Sequence, residues 1–127
     1  MERQAFPVKA RVLIVDDSPC MRDHAARLLE GDGFEIAGQV GDGHEAVDAF
    51  ERLAPDLVTM DLLLPSCCGV DAVRRIRALD ANARVLVTST RGQEALVMEA
   101  LQAGARDFVV KPLDRDRLLH VVKRILA

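Results

Sequence analysis

Short unbroken apolar runs alternate along this chain with longer stretches in which apolar residues return every three to four positions. Residues 12–15, 57–60, 85–87 and 108–110 are runs of the first kind, the pattern of strands covered on both faces of a parallel sheet. Residues 34–40 differ. There Phe34, Ile36, Gly38 and Val40 alternate with Glu35 and Gln39, which predicts a half-exposed edge strand.

The periodic stretches carry helix end signals. Ser18 is placed to N-cap a helix over 19–30 with Pro19 in its first turn, and Gly31 and Gly33 end it. Asp42, with Glu45 three residues on, has capping-box spacing for a helix over about 43–53 that stops before Pro55. Further helices are predicted over about 70–79, over about 93–103 with Gly104 behind it, and from about Asp114 to the end. Strict β-α alternation, repeated five times with short connections, predicts an open, doubly wound α/β sheet with helices on both faces. No linker or second domain is visible. Ligands of such sheets bind outside the carboxyl ends of the strands.

Composition narrows the function. The 127 residues suit one domain, and 50% apolar with 29% charged residues is a globular balance. Seventeen Lys and Arg against twenty Asp and Glu leave a net charge of −3, and four Phe with no Trp or Tyr leave little for bases to stack on. Direct nucleic-acid binding is disfavoured. No apolar run approaches the roughly 18 residues of a membrane span, and residues 1–10 lack a signal-peptide core, so a cytoplasmic protein is expected. Cys20, Cys67 and Cys68 form no disulfide framework, and His24, His44 and His120 lie far from them, which argues against zinc.

The predicted strand ends carry the chemistry. Asp16 and Asp17 follow the first, Asp61 the third, Thr88, Ser89 and Thr90 the fourth, and Lys111-Pro112 the fifth. One such Asp alone commonly serves only as a cap or a solvated loop residue. Together they converge, because adjacent strands lie about 4.8 Å apart. Clustered carboxylates repel unless a cation joins them. Lys111 supplies one charge, and a hard divalent ion such as Mg²⁺ suits the oxygen ligands and leaves room for phosphate. A phosphoryl-transfer site is expected, and without a Gly-x-x-x-x-Gly-Lys loop nucleotide is not the obvious phosphate source.

Asp16-Asp17 in LIVDDS, Asp61 in TMDLLLP, Ser89 in TST, Phe108 in ARDFVVKPL and Lys111-Pro112, in this order, resemble a response-regulator receiver domain. The similarity is to stand-alone chemotaxis regulators of the CheY kind and covers nearly the whole sequence. It implies a flavodoxin-like fold, a five-stranded parallel sheet of order 2-1-3-4-5 flanked by five helices, with residues 1–127 as one receiver domain. It implies that Asp61 accepts a phosphoryl group from a sensor histidine kinase, a phosphotransfer protein or a small donor such as acetyl phosphate. Asp17, Asp61 and the Leu63 backbone carbonyl would bind Mg²⁺, Asp16 acting mainly through a bound water, and Lys111 would pair with the phosphoryl group. Ser89 falls at the family's switch hydroxyl, and Phe108 at its aromatic switch position, although a buried strand would use a Phe anyway.

By the same resemblance the protein is a two-component signalling switch that catalyses only its own phosphorylation and dephosphorylation. Its output is a remodelled surface of the fourth helix, fifth strand and fifth helix, read by a downstream protein, in chemotaxis or motility among other pathways. The Lys111-Pro112 bond is expected to be cis. Three departures stand out: Cys68 where the family usually has Asp, apolar Leu63 two residues after Asp61, and Thr90 where Ala or Gly is common. Leu63 and Arg91 are expected to tune dephosphorylation towards a long-lived phosphorylated form, since neither orients an attacking water. A Mg²⁺-dependent phosphohydrolase with Asp61 as nucleophile is the alternative, weakened because its general acid would stand at Leu63. A receiver cut from a larger regulator would look the same, although the chain ends about one helix after Lys111. A redox role for Cys67-Cys68 is weaker still, since adjacent cysteines close a strained ring.

Overall fold

A computed structural model describes residues 10–127. Its elements follow in strict alternation: β1 (Arg11–Val15), α1 (Pro19–Glu30), β2 (Glu35–Val40), α2 (Gly43–Leu53), β3 (Leu57–Asp61), α3 (Gly69–Leu79), β4 (Val85–Ser89), α4 (Glu94–Gln102), β5 (Asp107–Val110) and α5 (Arg115–Leu126). All strand pairs are parallel, in the order β2-β1-β3-β4-β5. This is the predicted doubly wound sheet, and no helix among the described residues is long and apolar enough to cross a membrane.

The helices begin where the capping residues stand. Ser18 accepts from the Met21 amide at 3.2 Å, and Asp42 and Asp114 cap α2 and α5 in the same way. Cys68, at the N-cap of α3, makes no side-chain capping bond.

Two apolar layers clothe the sheet. On one face α1 and α5 bury Leu29, Leu118 and Val122 against Val12, Ile14 and Leu86; on the other α2, α3 and α4 bury Phe50, Val73, Ile76 and Ala100 against Leu13, Val58, Met60 and Val87. Each fully buried large side chain contributes about 1.5–3 kcal/mol. Strands β3 and β4 are buried at every residue, which is why their sequences are apolar apart from buried Thr59 and their carboxyl ends.

The edges depart from the sequence reading. In β2 the pairing with β1 slips at Ala37, so Ile36 pairs with Val12 and Gly38 with Leu13. That bulge reverses the alternation: Ile36 packs with the α1/α5 layer and Val40 with the α2/α3/α4 layer, whereas simple alternation put them on one side. A Cβ on Gly38 would lie 2.8 Å from Leu53 Cδ1, so a larger residue there would require the Leu53 side chain to shift. Strand β5 is an edge rather than a strand covered on both faces. Val109 faces the α5 layer, but Val110 is 42% exposed and Phe108 only half-buried, because α4 leaves a gap beside them.

Candidate functional site

The sheet order reverses at β1, so a crevice opens where β1 and β3 point their carboxyl ends between diverging connections. Asp16 follows β1, Asp61 ends β3, Ser89 ends β4 and Lys111 follows β5. All four meet over this crevice or beside it.

Asp16 and Asp61 are buried, Asp17 is exposed, and carboxylate oxygens of the three lie within 4.8 Å of one another. Lys111 Nζ stands between the buried pair, donating to Asp16 Oδ2 at 2.7 Å and lying 3.4 Å from Asp61 Oδ1. Asp16 is fixed further: its amide donates to Val40 O at 3.1 Å, and its Oδ1 accepts from the Ser18 amide at 3.0 Å. One ammonium therefore faces three carboxylates. That excess of hard oxygen donors fits a small divalent cation, and no other group of three His, Cys, Asp or Glu among the described residues does so.

Burial pushes the Asp61 carboxyl above its ordinary pKa, and repulsion from Asp16 adds to this against the opposing pull of Lys111. Burial works against the charge on Lys111, but its contacts with Asp16 and Asp61 outweigh that and hold its pKa above the ordinary value. The pocket favours neutralising Asp61 and keeping Lys111 charged.

The backbone around Asp61 is tightly packed. The Gly69 amide bonds to Leu62 O at 2.9 Å, and a Cβ on Gly69 would stand 2.3 Å from Asp61 O. Only glycine fits there. Leu63 projects outward, 56% exposed, and the Lys111-Pro112 peptide is cis.

Ser89 is buried, and the Lys111 amide donates to its carbonyl at 2.7 Å. Ser89 and Phe108 line a largely apolar groove of about 210 Å³ between β5 and α4, with Arg91, Val97, Met98 and Val110. Arg91 is exposed on this groove rather than within the acid cluster. Thr88 pairs in register with Asp61, and Thr90, in the next loop, donates its amide to Gln93 Oε1 at 2.8 Å. The three cysteines are free and outside the cluster, Cys20 and Cys68 exposed and Cys67 half-buried.

Two contacts near the cluster have no counterpart in the sequence reading. Arg22 of α1 donates Nη1 to the Asp16 carbonyl at 2.7 Å, and Ser66, in the loop after Asp61, bonds to the Asp42 carboxylate. The Ser66 bond is the main reason the Asp42 pKa lies below its ordinary value. Spacing held no signal for either: a charge on an amphipathic helix and a hydroxyl in a loop usually face solvent.

Comparison with known proteins agrees with this geometry. The family model for the response regulator receiver domain matches residues 12–123. The chemotaxis protein CheY of Thermotoga maritima is 43% identical over 115 residues, 91% of this chain and 96% of that one. CheY of Bacillus subtilis is 41% identical over 116 residues, 91% of this chain and 97% of its own. Among solved structures, the CheX-CheY-BeF3-Mg complex from Borrelia burgdorferi superposes with a TM-score of 0.88 at 37% identity, over 93% of this chain and 90% of that one. The response regulator domain of Thermotoga maritima CheB gives 0.85 at 32% identity, over 93% of this chain and 96% of that one. With five parallel strands in the order 2-1-3-4-5 and an acid cluster facing a lysine at their carboxyl ends, this chain belongs to the response regulator receiver domain family.

Proposed function

We propose that the protein is a phosphorylation-controlled switch in which Asp61 takes a phosphoryl group from a sensor histidine kinase, a phosphotransfer protein or a small acyl phosphate. The observation that carries this reading is the convergence of Asp16, Asp17 and Asp61 within 4.8 Å, with Lys111 between the buried pair. An Asp61 oxygen attacks phosphorus and forms the acyl-phosphate bond, while the bond to the donor nitrogen or oxygen breaks and the leaving group keeps its electron pair.

Asp17, Asp61 and the Leu63 carbonyl would hold Mg²⁺, with Asp16 linked through water; the bound ion would neutralise charge developing on the equatorial phosphoryl oxygens. Lys111 contributes a second positive charge, already oriented by Asp16. Catalysis is then positioning and electrostatic clamping, with no side chain needed as a general acid. A phosphohydrolase of the aspartyl-nucleophile type would want such an acid at Leu63, which is apolar and turned to solvent.

The output follows from the neighbours. Ser89 closes on the phosphoryl group, and Phe108 moves in the groove it shares with Ser89, which alters the face formed by α4, β5 and α5. The phosphoryl group is bonded by Ser89 only in the switched arrangement, so its presence shifts an existing equilibrium towards that arrangement. A protein partner reads that face in the cytoplasm, in chemotaxis or motility as for the CheY relatives. The protein is thus a signalling switch whose chemistry is confined to its own Asp61.

Incubation with acetyl phosphate and Mg²⁺ tests this. Wild type is expected to gain one hydroxylamine- and base-labile phosphate and Asp61→Asn none; one equivalent of labelling in both would refute the assignment.

A further inference from the structure

Asp17 is the exposed member of the acid cluster, and among the described residues its carboxylate forms no ion pair or hydrogen bond to aim it. Its direction is set by the backbone. The peptide joining Asp16 to Asp17 is planar and includes the Asp16 carbonyl oxygen and the Asp17 Cα, so whatever holds that oxygen fixes the plane from which Asp17 projects.

Arg22 holds that oxygen, with Nη1 at 2.7 Å. The β2-α2 connection leaves the guanidinium its place because residue 41 is glycine: an added Cβ would stand 3.0 Å from Nη1, 3.6 Å from Asp16 O and 3.7 Å from Asp17 Cα. A side chain at position 41 would therefore crowd both the guanidinium and the Asp16-Asp17 backbone. Arg22 is half-buried, and its recorded contact here is with this backbone carbonyl rather than with a carboxylate.

We infer that Arg22, given room by Gly41, is a positioning residue that orients the Asp16-Asp17 peptide and thereby sets the affinity of the acid cluster for its divalent cation. The inference rests on the metal site proposed above and adds a residue to it. Arg22 touches neither the metal ligands' carboxylates nor the phosphoryl group; it acts through one carbonyl.

Calorimetric titration with Mg²⁺ tests it on wild type, Arg22→Met, Arg22→Lys and Gly41→Ala, with thermal melting of each. Arg22→Met keeps the apolar stem but loses the donors, and its Mg²⁺ dissociation constant is expected to rise about tenfold, the lower end for groups that orient metal ligands. Arg22→Lys, which keeps the charge, recovers part of the loss, and Gly41→Ala, which crowds the guanidinium, gives a smaller loss of the same sign. A lower melting temperature with unchanged Mg²⁺ affinity in Arg22→Met would show a merely structural arginine and overturn the inference alone. Failure of wild type to bind Mg²⁺ would overturn the metal site itself, and the inference with it.

Discussion

Lys111 donates to Asp16 at 2.7 Å across 95 residues of sequence, and the same ammonium lies 3.4 Å from Asp61. The lysine is therefore already engaged with carboxylates that, on the proposed function, a divalent cation would also need. Its two roles oppose each other.

Replacing it separates them. In Lys111→Met the metal no longer competes with an ammonium, and Mg²⁺ is expected to bind about threefold to tenfold more tightly, roughly 0.6–1.4 kcal/mol. Phosphate uptake from acetyl phosphate should nevertheless fall, because the clamp on the phosphoryl oxygens is gone. Weaker Mg²⁺ binding in the folded variant, read by calorimetry, would contradict this account of the pocket.

The raised pKa of Asp61 has a signed consequence for stability. The fold favours the neutral acid, so the stabilising contribution is complete below the unfolded value of about 3.9 and is lost as pH rises through the folded value. Ionised Asp61 then costs stability at neutral pH. Without Mg²⁺, Asp61→Asn should melt a few degrees above wild type at pH 7, with the difference shrinking towards pH 4. A variant that melts below wild type at pH 7 would show the carboxylate to be stabilising.

Gly69, at the start of α3, lies against the backbone of Asp61 and Leu62. A methyl group 2.3 Å from Asp61 O forces strand end and helix start apart. Gly69→Ala is expected to cost about 1–3 kcal/mol in chemical denaturation and to slow phosphorylation of the remaining folded protein. Wild-type stability would mean the α3 start can yield without moving Asp61.

Leu63 and Arg91 set the expected lifetime of the phosphorylated form. Leu63 is 56% exposed beside Asp61 and gives an attacking water no hydrogen bond, while Arg91 faces the α4-β5 groove. Leu63→Asn should speed loss of phosphate about tenfold, equivalent to one positioning contact of about 1.4 kcal/mol in the transition state. Decay no faster than wild type, followed at saturating Mg²⁺, would exclude this explanation.

The cysteines serve as a negative control. Cys20 and Cys68 are exposed and Cys67 half-buried, all three free and none within the acid cluster. A triple Ser variant should take up phosphate at close to the wild-type rate. Loss of uptake with retained fold would restore a thiol role.

The acid cluster was legible because its members sit directly at strand ends, where topology alone brings them together. Asp61 and Lys111 needed only the order of the strands. Arg22 was not legible: its partner is a backbone carbonyl, which leaves no mark on the pattern of side chains. The reversal at Ala37 was hidden for a related reason, since an extra residue in a strand changes which face follows without changing any residue's character. Strand β5 misled in the opposite sense. Its apolar side chains are real, but Phe108 and Val110 face a groove rather than a packed layer.

The long span between Asp16 and Lys111 also orders events in time during synthesis. At about 5–20 residues per second, a ribosome completes the carboxylates of β1 and β3 well before the ammonium appears, with roughly 5–20 seconds separating Asp16 from Lys111. Until then the emerging chain carries the acids without the cation that clamps a phosphoryl group. On the proposed function, a nascent or prematurely terminated chain is expected to draw phosphate from the donor pool more slowly than a chain that has brought its last strand into register.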